Sequence, residues 1–160
     1  MPSCFLESSH IPQHASAKYL GFHMDDKINW KQHLSKKRKQ IDLKSKELNW
    51  LIGRKSKLSI ENKLLIYKAI IKPIWTYGIE LWGCASKPNL SIIQRAQSKI
   101  LRSIADDRDL KIPFIREVIV ERSCKHHGRL SDHPNPLLPS LLDPTETRRL
   151  KRKLPLDLQD

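Results

Sequence analysis

Cysteine is scarce in this chain of 160 residues: Cys4, Cys84 and Cys124 are odd in number, widely spaced and form no C-x-x-C. That excludes a disulfide framework and fits a reducing, intracellular compartment. Long apolar runs are missing too. Lysines interrupt Leu64–Trp75, short of the roughly 20 apolar residues of a spanning helix, so no membrane span is expected. The opening M-P-S-C-F-L-E-S-S-H lacks the basic start and apolar centre of a secretory signal. Aromatics are only 6%, so the expected core is modest. Internal repeats and low-complexity tracts are absent.

Negative charge is the other shortage. Against 30 Lys+Arg stand 17 Asp+Glu, which leaves +13. The excess is local: from Lys31 to Lys72, 13 Lys/Arg face only Asp42, Glu47 and Glu61. A polyanionic partner follows, nucleic acid ahead of an anionic membrane. A local stripe argues this better than a global pI, because counterion release needs cations that reach a phosphate backbone together. A solvated, lysine-rich surface is the plainer reading of the same residues.

What is present is helical pattern. Residues 1–17, with Pro2 and Pro12, read as weakly structured, and Lys18–Met24 as a short strand closed by a turn at Asp25-Asp26-Lys27. A long helix is expected from Trp30 to Ile52, ended by Gly53, with Leu34, Ile41 and Leu48 as a narrow apolar seam. Ser59 is a candidate N-cap for a second helix to about Ile71. In it Ile60, Leu64, Tyr67 and Ile71 form the apolar side and Lys63, Lys68 and Lys72 the wet one. Pro73 disturbs that pattern, and the aromatic turn Trp75–Gly83 anchors the core. A third helix starts at Ser86-Lys87-Pro88, with Ile93, Ala96, Ile100 and Ile104 as its stripe, and a fourth runs from Pro113 to about Cys124. From Asp132 on, Pro134, Pro136, Pro139, Pro144 and Pro155 prevent long regular structure. The fold class is mainly α: a short N-terminal strand or hairpin, a three- to four-helix bundle and an extended Pro-rich tail. The expected divisions are 1–29, 30–131 and 132–160.

The order of several segments is more specific than any one of them. Lys18-Tyr19-Leu20-Gly21, Asn29-Trp30-Lys31-Gln32-His33, Lys36–Gln40 and Gly53–Ser59 lead into Lys72-Pro73-Ile74-Trp75-Thr76-Tyr77-Gly78 and Leu81-Trp82-Gly83. Gln94–Lys99, Asp109–Pro113, Arg129–Leu137 and Arg148–Lys153 follow. From Lys18 onward the chain resembles the reverse transcriptases of jockey-type non-LTR retrotransposons, where these segments run from the end of the palm through the thumb. The resemblance implies a thumb that clasps an RNA/DNA template–primer duplex without reading sequence. It implies phosphate contacts from Lys36, Lys37, Arg38, Lys39, Lys44, Arg54, Lys55 and Lys57, and a place near the primer strand for Lys18 and Tyr19. Lys and Arg suit that task because they hold phosphates without sequence information. The endonuclease, fingers and most of the palm are missing upstream, so a C-terminal remnant is expected, with the parent's palm and fingers as its partners. The family connection before Asp-Leu-x-Ile-Pro is usually longer; Ala105-Asp106-Asp107-Arg108 spans it here, which suggests a deletion.

Polymerases of this kind bind two Mg²⁺ between paired carboxylates about 4 Å from metal to metal. Met24-Asp25-Asp26 and Ala105-Asp106-Asp107 look superficially like that pair. The first follows the Lys-Tyr-Leu-Gly strand, downstream of the family's catalytic hairpin; the second follows a helix end. Both read as surface turns, so no catalytic residue, no cofactor and no metal are assigned to this chain, and Mg²⁺ belongs to the intact parent. Cys124, His126, His127 and His133 are poorly spaced for zinc. Lys36–Lys39 and Arg148–Lys153 also match nuclear-import composition, a common pattern in basic helices. The alternatives to a duplex clasp are a helical protein-interaction module built on the Leu34/Ile41/Leu48 seam, and the inert product of a decaying element copy.

Overall fold

Leu20 and Gly21 both hold positive φ, 46° and 81°, which is what a two-residue hairpin turn needs. Two antiparallel pairs open the computed structural model, which describes residues 5–6, 9–10, 15–105, 110, 112–135 and 137. They are β1 (Phe5–Leu6) with β2 (Ser9–His10), and β3 (Ser16–Tyr19) with β4 (Phe22–Asp25). In the second pair Tyr19 lies opposite Phe22 and Lys18 opposite His23. The single strand expected over Lys18–Met24 is therefore two strands, because Gly21 turns the chain inside it. Order also begins earlier than expected, at 5–6, 9–10 and from Ser16.

Asp25 ends β4, and its Oδ1 accepts the Asn29 N–H at 2.7 Å. That bond closes the turn into α1 (Lys31–Glu47), whose N-cap Trp30 sits in the left-handed region at φ 61°. α1 stops at Leu48, where φ −90°, ψ 0° leaves the helix, and α2 (Asn49–Ile52) completes the stretch to Gly53. The expected unbroken helix is thus a long helix and a single added turn.

α3 (Ile60–Ile66) starts as the sequence suggests, with the Ser59 hydroxyl accepting the Asn62 N–H at 3.3 Å. It does not end at Ile71. A π turn over Tyr67–Ile71 leads straight into α4 (Lys72–Thr76). Pro73 has no N–H to donate, and its ring would crowd the carbonyl four residues back. Widening the preceding turn, so that Lys72 N–H reaches Tyr67 O, lets the helix pass the proline. Gly78 then reverses the chain at φ 61° into α5 (Ile79–Trp82). A Cβ there would lie 2.1 Å from Phe22 Cζ, so both backbone and space require glycine.

α6 (Lys87–Ile104) and α7 (Ile115–Ser131) complete the described helices. α7 runs past the expected end at Cys124; Glu117 accepts the Phe114 N–H at 3.0 Å at its start. α6 packs against α1, α3 and α7, and α5 against α7. The core between them holds Tyr67, Ile71, Trp75, Ile79, Trp82, Ile93, Ile100, Ile115 and Ile119, all buried. Lys63 corrects the expected wet side of α3: it is buried, and its Nζ donates to Gly53 O at 2.9 Å, which satisfies the ammonium inside the fold. Ile60 stands exposed where the stripe placed it inward. Asp106, Asp107, most of the Pro-rich stretch and Arg148–Lys153 lie outside the described residues.

Candidate nucleic-acid interface

The hairpin is fastened to the helices by rings. Phe22 is stacked between His33 of α1, at 5.4 Å, and Tyr77 after α4, at 5.3 Å. Trp30 meets both Phe22 and His33 edge-on, at 6.2 and 5.9 Å. The Tyr77 hydroxyl donates to Leu20 O at 2.9 Å, and Asn89 Nδ2 of α6 donates to Asn29 O at 2.9 Å. Ring pairs of this geometry contribute about 0.5–1.5 kcal/mol each beyond their buried area. The hairpin is thereby held on the first turns of α1 rather than tethered loosely ahead of it.

This docking brings together cations that lie far apart in the sequence. Lys18 pairs across the hairpin with His23, and Lys36 Nζ of α1 lies 3.0 Å from His23 Nδ1. Desolvation lowers the His23 pKa first, and Lys36, Lys18 and Lys37 lower it further. A neutral ring can accept from Lys36, and it sits among three cations that would repel a second proton. Behind it, His33 Nδ1 accepts the His23 backbone N–H at 3.3 Å. His33 is buried, and desolvation, with help from Lys37 and His23, brings its pKa down to about 4. It is a neutral core imidazole at ordinary pH.

The eight cations expected to meet phosphates divide by what else they touch. Arg38 donates to Asp42 at 2.8 Å and to Ile92 O at 3.3 Å, which ties α1 to α6. Lys37 lies over the Tyr77 ring at 5.1 Å, and burial lowers its pKa. Lys44 pairs with Glu47 at 2.7 Å. Arg54 reaches Arg102 O at 3.2 Å. Lys36 bonds His23 yet stays exposed, and Lys39, Lys55 and Lys57 are exposed with no hydrogen bond or ion pair among the described residues. Lys36, Lys39 and Lys46 follow one another at helical spacing, with Leu43 between them, and all are exposed. Arg54, Lys55 and Lys57 occupy the loop between α2 and α3. Lys18 and Tyr19 are exposed on β3.

His23 and Tyr77 on this surface, and His33 buried beneath it, are the residues that sequence reasoning missed. A turn placed at Leu20-Gly21 would have found the first, since a two-residue loop puts His23 opposite Lys18. Of the apolar seam on α1, Leu34 and Ile41 are buried and Leu48 is half-buried against the same core, so the seam is used within the chain. Among the described residues no three His, Cys, Asp or Glu gather where they could hold a metal ion. No described helix is long and apolar enough to cross a membrane.

No family model and no solved structure matches the chain. Curated proteins similar over nearly all of it include the following three. The probable RNA-directed DNA polymerase from transposon X-element of Drosophila melanogaster is 35% identical over 98% of this chain. That from transposon BS of the same organism is 34% identical over 92%, and the RNA-directed DNA polymerase from mobile element jockey of Drosophila funebris is 33% identical over 99%. The aligned stretch is 18%, 17% and 19% of each relative's own length, so the homology is to a portion of these polymerases.

Proposed function

We propose that this portion is the thumb region of a non-LTR reverse transcriptase, with the end of the palm as its hairpin, and that it clasps a template–primer duplex through phosphates alone. The observation that carries the reading is the exposed run Lys36, Lys39 and Lys46 on α1, beside Lys18 of the docked hairpin. These side chains point charge at solvent without a planar, hydrogen-bonded frame for base edges, which suits backbone contact rather than sequence readout. Lys55 and Lys57 extend the charge along the loop after α2. Arg38 and Arg54 serve the clasp by fixing α1 and that loop to α6. The palm and fingers of the parent polymerase are the protein partners, and their carboxylates would hold the Mg²⁺.

Asp25 supports the non-catalytic part of the reading, since its carboxylate caps the turn at Asn29. The chain alone is expected to extend no primer in Mg²⁺ or Mn²⁺. Extension abolished by Asp25→Asn or Asp106→Asn would overturn this. Titration with an RNA–DNA hybrid should give the same affinity for unrelated sequences, and a log K that falls linearly with log salt. A salt-independent affinity would sink the phosphate clasp.

A further inference from the structure

A second basic surface lies away from α1, in a groove of about 300 Å³ between α4, α5 and α7. Its lining includes Lys72 of α4, Glu80 of α5, and Glu121, Arg122, Lys125 and Arg129 of α7, but no residue of α1 or of the loop after α2. Arg122, Lys125 and Arg129 recur at spacings of three and four, so they share one side of α7, and each is exposed. Lys72 faces them from the other wall. Four cations therefore stand against two carboxylates around one concave space. Glu121 reports the local field: its hydrogen bond from Lys125, the charge of Lys125, and then Lys72 and Arg122 hold its carboxyl below the usual range.

We propose that this groove is a second nucleic-acid site, which holds the phosphate backbone of a strand separate from the one on α1. Concavity matters to that assignment. A cation on a flat helix face meets a phosphate from one side, whereas Lys72 and the α7 row approach it from two. Glu121 occupies Lys125 in the free protein, and an arriving phosphate competes for that ammonium. The chain would then hold two segments of nucleic acid at once, for instance a duplex and an unpaired strand.

The test is a salt titration of a 20-nucleotide single strand against the full chain, the Arg122→Gln/Lys125→Gln/Arg129→Gln variant, and the Lys36→Gln/Lys39→Gln variant. Each phosphate contact on a single strand contributes about 0.7 to the slope of log K against log salt, so the α7 triple should lower the slope by about 2. It should do so equally in the native and the Lys36→Gln/Lys39→Gln backgrounds. Glu121→Gln, which frees Lys125, should tighten binding several-fold. An α7 triple that unfolds like the native chain but leaves the slope unchanged overturns the proposal. So does a triple whose effect vanishes in the Lys36→Gln/Lys39→Gln background, since that means one shared site. Inorganic phosphate that binds the native chain and not the triple, with equal strand affinity in both, would assign the groove to free phosphate and overturn it as well. Failure of the α1 reading looks different: the α1 double changes nothing while the α7 triple still does.

Discussion

α1 and α6 are nearly equal in length, 17 and 18 residues, and pack against each other, yet they are built to opposite plans. α6 buries Ile93, Ala96, Gln97, Ile100, Leu101 and Ile104, a broad stripe that serves three neighbours. α1 buries only His33, Leu34 and Ile41, and lysine is the commonest residue on the rest of it. A helix with so thin a seam is held by what it rests on. Here that is α6, α4 with the π turn before it, and the ring stack of the hairpin. α6 makes the fold, and α1 is the helix that the fold holds up.

The largest expected effect lies on α6. Ile93→Ala should cost about 2–5 kcal/mol, from lost burial and the cavity left behind, while Lys39→Ala on α1 should stay within about 0.5 kcal/mol. Urea unfolding of both variants checks this, and similar costs would erase the contrast. Next comes His33, the one buried imidazole of α1. The unfolded chain takes up a proton near pH 6.5 that the folded chain refuses until about pH 4. Stability from this group is therefore complete above pH 6.5 and falls, by up to about 3 kcal/mol, as pH drops through that window. Unfolding at pH 7 and pH 4.5 should show a smaller difference in His33→Gln than in the native chain; equal differences would show that His33 does not titrate as buried.

Lys36→Gln/Lys39→Gln should weaken binding of an RNA–DNA hybrid about tenfold at low salt, which is about 1.4 kcal/mol, with thermal unfolding unmoved. An unfolding shift as large as the binding change would mean that these lysines hold the hairpin rather than the duplex. The smallest effect belongs to Lys44. Its exposed pair with Glu47 is worth about 0.2–1 kcal/mol, screened by salt, and Lys44→Ala should lose no more than that by denaturant titration.

Where pattern and packing agree, the sequence was readable. Ile93, Ala96, Ile100 and Ile104 recur on one side of α6 and all are buried, and Ser59 caps α3 as its place before Ile60 suggests. The misreadings fall where a local exception overrides periodicity. Pro73 signals a stop, but a π turn carries the helix past it. Gly21 hides inside what reads as one strand. Lys63 sits on a wet-looking face and is buried on the Gly53 carbonyl. The cations of the interface were legible as residue types. Their division into free and engaged was not, because Arg38 and Arg54 find their acceptors on Ile92 and Arg102, some fifty positions away in sequence.

The π turn at Tyr67–Ile71 decides how the helix beyond it is phased. It carries one residue more than an α turn would over the same path. Were the same residues wound as a regular α-helix instead, everything beyond would rotate by about 100° and advance by about 1.5 Å. Trp75 would leave the core, and Tyr77 would swing off the far side of Phe22. No side chain need change for the hairpin to lose its dock. The segment thus sets the phase of the molecule, so that the winding at this point governs whether the strand pair and the helices remain one body.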